Sequence, residues 1–337
     1  MKIEDKIKTY FEHLSPKKLG LTESIKVTSV KKIGIGASNL NYLVVANKKN
    51  FNFRLNIDRT RREKTRQEFE ALNCISDHNI GPKAYLIDES KKVFDEGFLI
   101  LEFIEGKTLS SSQYKLNSRI IRNLAKLVAE LHNIKPTISL KKDFVNPKDY
   151  LREIKEYRSQ IKDLGAATIF LELFDETFNK LERKYQNITF PEITSLIHGD
   201  IQEQNILITK KGIRLIDFES LSISDPGTEI SYIFLEFGKP WSKNQEDLFF
   251  NEYLKYRKDK TLRARVDAYR PLRIFIAFLW AILHVLKIKK QKMHEEFTKR
   301  ERIENHIEFA GKQLKRVLET GILHKKYRKL RVEDILG

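Results

Sequence analysis

Three oxygen-bearing side chains, Asp200, Asn205 and Asp217, have the types and spacing in this 337-residue chain to do chemistry together. They lie in His198-Gly199-Asp200-Ile201-Gln202-Glu203-Gln204-Asn205-Ile206-Leu207-Ile208 and in Leu215-Ile216-Asp217-Phe218-Glu219. Residues 205–209 and 213–217 read as strands around Lys210-Lys211-Gly212, a three-residue turn with glycine where a positive φ is wanted. Pairing about Lys211 sets Thr209 opposite Ile213, Leu207 opposite Leu215 and Asn205 opposite Asp217. An amide oxygen and a carboxylate then meet at the open end of a hairpin, with Asp200 on the loop that feeds it. Singly, each is an ordinary turn or strand-end residue; the chemistry lies in the combination. Phosphoryl transfer spreads charge over equatorial oxygens and is catalysed by positioning and neutralisation. Mg²⁺ binds through one or two hard-oxygen protein ligands plus substrate phosphates, so Asn205 and Asp217 are the expected metal ligands. Asp200 is expected to orient an attacking hydroxyl and accept its proton.

Elements on either side must position this set. Residues 3–14 read as an amphipathic helix ended by Pro16, and Ile25–Ile33 as a strand leading into Gly34-Ile35-Gly36-Ala37-Ser38-Asn39. Tyr42–Ala46 and Phe51–Ile57 are strand-like about Asn47-Lys48-Lys49-Asn50, Arg59–Ile75 is helical, and strands return at Lys83–Ile87 and Phe98–Ile104. Beyond Glu105-Gly106-Lys107 the pattern is mainly helical, with apolar residues three or four apart from Ile120 to Leu131. Strand character returns only at Ser195–Ile197, Ile206–Thr209 and Ile213–Ile216. The order is an α+β chain, with a β-rich lobe over residues 1–104 and a helical lobe over 105–337.

The catalytic segment resembles the aminoglycoside phosphotransferase and choline-ethanolamine kinase group, whose members carry H-x-D-x-x-x-x-N followed by I-D-[FW]-E. Asp200-Ile201-Gln202-Glu203-Gln204-Asn205-Ile206-Leu207 is most similar to the choline and ethanolamine kinase form. The resemblance implies a bilobal protein-kinase-like fold: a small antiparallel sheet with one long helix, then a larger helical lobe. It implies Asp200 as the base, Asn205 and Asp217 as holders of Mg²⁺, ATP as donor, and His198 as a brace for the loop. The glycine loop then covers phosphates, its main chain brought close by Gly34 and Gly36, with Ser38 and Asn39 beside them. A strand cation should reach the phosphates. Alternation in Phe51-Asn52-Phe53-Arg54-Leu55 turns Arg54 away from the apolar face, and its fork suits phosphate. Glu68 borders the inward stripe of the following helix and is the expected partner of Arg54, ahead of Glu63 and Glu70. By order, the main chain of Glu102, Phe103 and Ile104 is expected to bond adenine.

The resemblance also implies a small-molecule hydroxyl substrate held by the helical lobe. Candidate contacts are Gln202, Glu219, Glu229, Tyr232, Glu236 and Trp241; acids with aromatics suit an amine or quaternary ammonium. A choline- or ethanolamine-like amino alcohol is favoured, with an aminoglycoside or sugar as the alternative. The formal charge of +17 opposes encounter with a polycation. Other classes are a nucleotide-binding regulatory pseudokinase and a nucleic-acid-associated protein. Residues 285–337 hold 15 Lys and Arg against 8 acids, yet no nucleic-acid motif accompanies them, and a solvated basic face is preferred. Cys74 is the one cysteine, which excludes a disulfide framework and fits a reducing, cytoplasmic setting. Met1–Leu14 lacks a signal-peptide pattern, and Ile274–Leu286 is too short an uncharged run for a membrane span.

Overall fold

The computed structural model describes residues 2–35, 39–57, 63–111, 115–136, 140–235, 241–290 and 300–336. It is an α+β chain with an antiparallel N-terminal sheet and a helical C-terminal region. By internal contact it falls into two compact units, Met1–Ser139 with His198–Leu221, and Leu140–Ile197 with Ser222–Gly337. The sequence-order boundary at residue 104 is a single cut, whereas this grouping is discontinuous and places the Asp200 loop with the sheet.

In the first unit, α1 (Ile3–Glu12) precedes a sheet of β1 (Val27–Ile35), β2 (Asn39–Ala46), β3 (Lys49–Asn56), β4 (Ala84–Asp88) and β5 (Phe98–Glu102), ordered β1-β2-β3-β5-β4. Asn47 and Lys48 make the β2–β3 turn with φ of 48° and 60°. Two left-handed residues match the twist of a tight hairpin, so β3 starts at Lys49, two residues closer to the turn than the sequence pattern suggests, while β2 ends at Ala46 as expected. The alternation around Arg54 has a clear cause. Phe51 and Phe53 face α1, where Phe11 lies 6.0 and 6.4 Å from their ring centroids, and all three are at most 1% exposed. Arg54 points to the opposite face and is also buried, because α2 (Lys64–Cys74) covers it. Tyr10 further pins α1, donating to Asp88 Oδ2 at 2.7 Å.

The same unit contains β6 (Lys107–Thr108), α3 (Ser118–Asn133), β8 (Ile206–Thr209) and β9 (Gly212–Leu215), with β6-β8-β9 forming a small sheet. Asn117 caps α3 by accepting from the N–H groups of Arg119 and Ile120. The two-residue β6 carries no periodicity, and the sequence pattern shows no strand there.

The second unit pairs β7 (Ser195–Ile197) with β10 (Ser222–Ser224) and is otherwise helical: α4 (Pro147–Asp163), α5 (Thr168–Tyr185), α6 (Pro226–Leu235), α7 (Lys243–Tyr256), α8 (Leu262–Lys289) and the helix Arg300–Glu319. Asn146 and Asp149 close a capping box around Pro147 at the start of α4. Tyr150, Phe170, Phe174, Phe275 and Phe278 sit in one apolar core. Among the described residues, α8 alone is long and apolar enough to cross a membrane by length and composition, and 72% of its most apolar window is buried inside the protein. The basic C-terminal run is docked by its apolar residues: Tyr327, Val332, Ile335 and Leu336 are buried, and Ala167 N–H donates to Ile335 O at 3.1 Å.

Candidate active site

The loop that carries Asp200 is held by His198, which is fully buried. Asp200 N–H can only donate, so His198 Nδ1 accepts it at 3.2 Å; Ile216 O can only accept, so Nε2–H donates to it at 3.0 Å. The imidazole is therefore a neutral Nε2–H tautomer that bolts the loop to the strand before Asp217. Gly199 makes the loop possible. Its φ is +83°, and a Cβ there would lie 2.5 Å from Ser220 O.

Asp200 is oriented from two sides. Gln202 Nε2 lies 3.1 and 3.0 Å from its two carboxylate oxygens, and Asn205 Nδ2 donates to Asp200 O and Oδ2, both at 2.9 Å. Asn205 is 5% exposed. Its amide nitrogen is turned to Asp200, which leaves the side-chain oxygen as the hard donor that Asn205 can offer. Gln202, expected among the acceptor contacts, lies on the Asp200 carboxylate.

The hairpin register differs from expectation. Thr209 pairs with Gly212, Ile208 with Ile213, Leu207 with Arg214 and Ile206 with Leu215. The turn is the two-residue Lys210-Lys211, locked by Lys211 N–H to Thr209 Oγ1 at 3.1 Å and Thr209 Oγ1 to Gly212 O at 2.9 Å. A one-residue shorter turn slides every partner by one. Asn205 therefore faces Ile216, whose N–H donates to Asn205 O at 3.0 Å, and not Asp217.

Asp217 follows with φ of 70°, a left-handed conformation that Asp tolerates better than most residues. The turn sends its carboxylate to Arg54, whose NH2 lies 2.5 Å from Oδ1. Arg54 Nε is 2.9 Å from Glu68 Oε2, and NH2 is 3.5 Å from Glu219 Oε2. Glu68, chosen over Glu63 and Glu70 by helical phase, is thus the residue that meets the strand cation. Burial opposes the Arg54 charge, but Asp217, Glu68 and Glu219 outweigh it and hold the guanidinium protonated. Burial pushes the Glu68 carboxyl up to about 8, with Arg54 pulling it back and Asp217 and Glu219 adding to the rise. Asn39, Lys64, Thr65 and Leu99 close around Arg54, Glu68 and Glu219.

Glu219, expected among the acceptor contacts, accepts from Asn39 Nδ2 at 3.1 Å, while its main-chain oxygen accepts from Lys64 Nζ at 2.9 Å. Asn39 begins β2, directly after the glycine loop. Of that loop, Gly34 lies in β1, whereas Gly36 and Ser38 fall outside the described residues. Glu102 ends β5 with its N–H donated to Lys83 O at 2.8 Å, and its side chain faces Arg214, which also donates to Gly81 O. Phe103 and Ile104 follow without regular structure. Sequence reasoning did not single out Lys64 or Arg214, because neither stands in a motif and each acts through a distant main-chain oxygen.

In the second unit, Glu229 is 2% exposed on α6, Tyr232 carries the Arg273 guanidinium 4.4 Å from its ring centroid, and Trp241 is 6% exposed, packed on Phe234 and Phe249. Glu236 lies outside the described residues.

A buried carboxylate-guanidinium pair and a loop-borne, amide-oriented aspartate are groups suited to phosphate chemistry. The chain belongs to the phosphotransferase enzyme family, whose sequence profile matches residues 29–270. It is a member of a family of small-molecule phosphotransferases with the protein-kinase-like fold. The structure is similar to choline kinase from Cryptosporidium parvum Iowa II, at 20% identity over 94% of this chain and 97% of that one, with a TM-score of 0.62. It is similar to Plasmodium vivax ethanolamine kinase, at 21% identity over 92% and 86%, with a TM-score of 0.60. It is also similar to the aminoglycoside phosphotransferase APH(2")-IIa in a ternary complex with streptomycin and ATP, at 18% identity over 77% and 86%, with a TM-score of 0.58. No curated protein matches the sequence.

Proposed function

We propose that the protein transfers the γ-phosphate of ATP to a hydroxyl of a small alcohol or amino alcohol, with Asp200 as general base. The observation that carries this reading is the Asp200 carboxylate, oriented by Gln202 and Asn205 on a loop that neutral His198 holds in place. A base must hold its lone pair toward the hydroxyl as bond making begins, and these amide donors fix that direction without adding a proton. Arg54, held on Glu68, offers an always-charged fork to the nucleotide phosphates. Asn39 and the glycine loop contribute beside it. The Glu102 N–H is spent within the sheet, so adenine recognition rests on the Glu102 carbonyl and on Phe103 and Ile104.

Asn205 and Asp217 are the residues that would hold Mg²⁺, and their oxygens are the hard donors this ion takes. Among the described residues no three His, Cys, Asp or Glu form a metal cage, and an ion shared with nucleotide phosphates needs none. When bound, Mg²⁺ supplies charge neutralisation on the transferring phosphoryl group.

For the acceptor we favour a choline- or ethanolamine-like molecule over an aminoglycoside. The Gln202-Glu203 pair in the Asp200 loop supports this, as does the +17 charge. Glu229 and Tyr232 on α6 are the proposed acceptor-side residues; the buried packing of Trp241 suits a supporting role. The test is labelled-nucleotide transfer to a panel of amino alcohols, sugars and aminoglycosides, run with ATP and GTP. Asp200→Asn is expected to lower transfer by about 10²–10⁴-fold while nucleotide binding persists. Wild-type turnover by that variant, or nucleotide binding with no transfer to any hydroxyl, would contradict the proposal.

A further inference from the structure

We infer that Glu219 is a positioning residue that fixes the first residue after the glycine loop against the strand cation. The inference rests on the phosphotransfer reading above and adds to it a residue role that the catalytic motif does not specify.

Glu219 stands two residues past Asp217, and its side chain is 15% exposed. One oxygen, Oε2, collects Asn39 Nδ2 at 3.1 Å and Arg54 NH2 at 3.5 Å. Its carbonyl takes Lys64 Nζ at 2.9 Å, and Lys64 is the first residue of α2, the helix that carries Glu68. Three elements on which phosphate binding depends therefore converge on one residue: the start of β2, the cation of β3 and the start of α2. Asn39 is only 8% exposed, and its amide donates to a carboxylate, a bond roughly twice as strong as its neutral counterpart.

The role is geometric. Asn39 joins the loop to the sheet, and its main chain pairs with Asn56 at the end of β3. With its side chain tied to Glu219, the place where the loop enters β2 is set by a contact within the protein itself, so less freedom is lost when phosphates bind. The function needs an acceptor at the Oε2 position more than it needs a negative charge, and that separates it from metal ligation.

The test measures affinity for a fluorescent ATP analogue without divalent cations, together with KM and kcat, for Glu219→Ala, Glu219→Gln, Asn39→Ala and the Asn39→Ala/Glu219→Ala pair. Glu219→Ala and Asn39→Ala are each expected to weaken metal-free binding roughly tenfold, as for loss of one charge-assisted hydrogen bond. The double variant should be no weaker than the weaker single, and Glu219→Gln should keep most of the affinity. Thermal unfolding of the free variants should show the same non-additivity, which keeps the test decisive if one variant folds poorly. Additive losses, unchanged binding by Glu219→Ala, or a defect seen only as a changed Mg²⁺ requirement would overturn the inference. A wild-type protein that binds no nucleotide would instead overturn the phosphotransfer reading on which it stands.

Discussion

Replacing Arg54 by Leu should destabilise the protein by an amount that grows with pH. The guanidinium is 8% exposed and lies 2.9 Å from Glu68, 2.5 Å from Asp217 and 3.5 Å from Glu219. Asp217 is 30% exposed, so water can solvate it once Arg54 is gone, whereas Glu68 is 4% exposed and cannot be rehydrated in place. The cost is therefore carried by Glu68. Stranding one partner of a buried pair costs about 3–5 kcal/mol, which corresponds to roughly 6–20 °C in Tm for a unit of this size. The sign of the pH effect follows from the Glu68 carboxyl, which burial raises from 4.5 to about 8. A carboxyl raised in the folded state contributes stability below its unfolded value that is lost as pH climbs through the folded one. Without Arg54 pulling it down, Glu68 rises further and stays neutral over more of the range. At about pH 5.5 the variant then escapes most of the penalty, and at about pH 8.5 it bears it. Thermal unfolding of wild type, Arg54→Leu, Glu68→Gln and the double variant across this range is the assay. Glu68→Gln should flatten the pH dependence, and the double variant should melt well above Arg54→Leu at high pH. Equal melting of Arg54→Leu and wild type at about pH 8.5, or a loss independent of pH, would refute the claim that Arg54 compensates a buried carboxylate.

Two further outcomes follow from backbone and core geometry. Gly199→Ala would force a Cβ to 2.5 Å from Ser220 O at a φ of +83°, so transfer activity should fall sharply, with loss of about 1–3 kcal/mol of stability from the strained residue alone; wild-type kcat in that variant would show that the loop conformation is unimportant. In the second unit, Arg265→Met would strand Asp225 and Asp259, which the guanidinium binds at 2.7 and 2.8 Å with side chains at most 5% exposed. A loss of about 3–5 kcal/mol is expected in denaturant unfolding, and an unchanged midpoint would show that the pair of acids finds compensation elsewhere.

Much of the site is legible in the sequence because it is encoded locally. His198, Asp200, Gln202 and Asn205 sit within eight residues, and a loop so short brings its side chains together with little help from the rest of the fold. Helical phase was enough to choose Glu68, since a residue's face on a helix depends only on its spacing from apolar neighbours. The strand alternation placed Arg54 away from Phe51 and Phe53 for the same reason. The hairpin register was not legible: two- and three-residue turns both satisfy Lys210-Lys211-Gly212, and Thr209 decides between them through hydrogen bonds to Lys211 and Gly212.

What the sequence alone determined is the vocabulary of the candidate site: an aspartate-amide loop, a strand arginine, a helix glutamate and the order of strands and helices that carries them. What only the tertiary structure decided is who meets whom. Arg54 and Asp217 are 163 residues apart, and Asn39 and Glu219 are 180 apart. No local pattern distinguishes Glu219 as a hub from Glu219 as a substrate contact, nor Trp241 in a pocket from Trp241 packed on Phe234. Periodicity and turn chemistry act over a few residues and are written into neighbouring positions. The pairing of buried charges is settled only when distant elements pack and water is withdrawn, because a carboxylate's partner becomes energetically decisive only once solvent no longer competes for it.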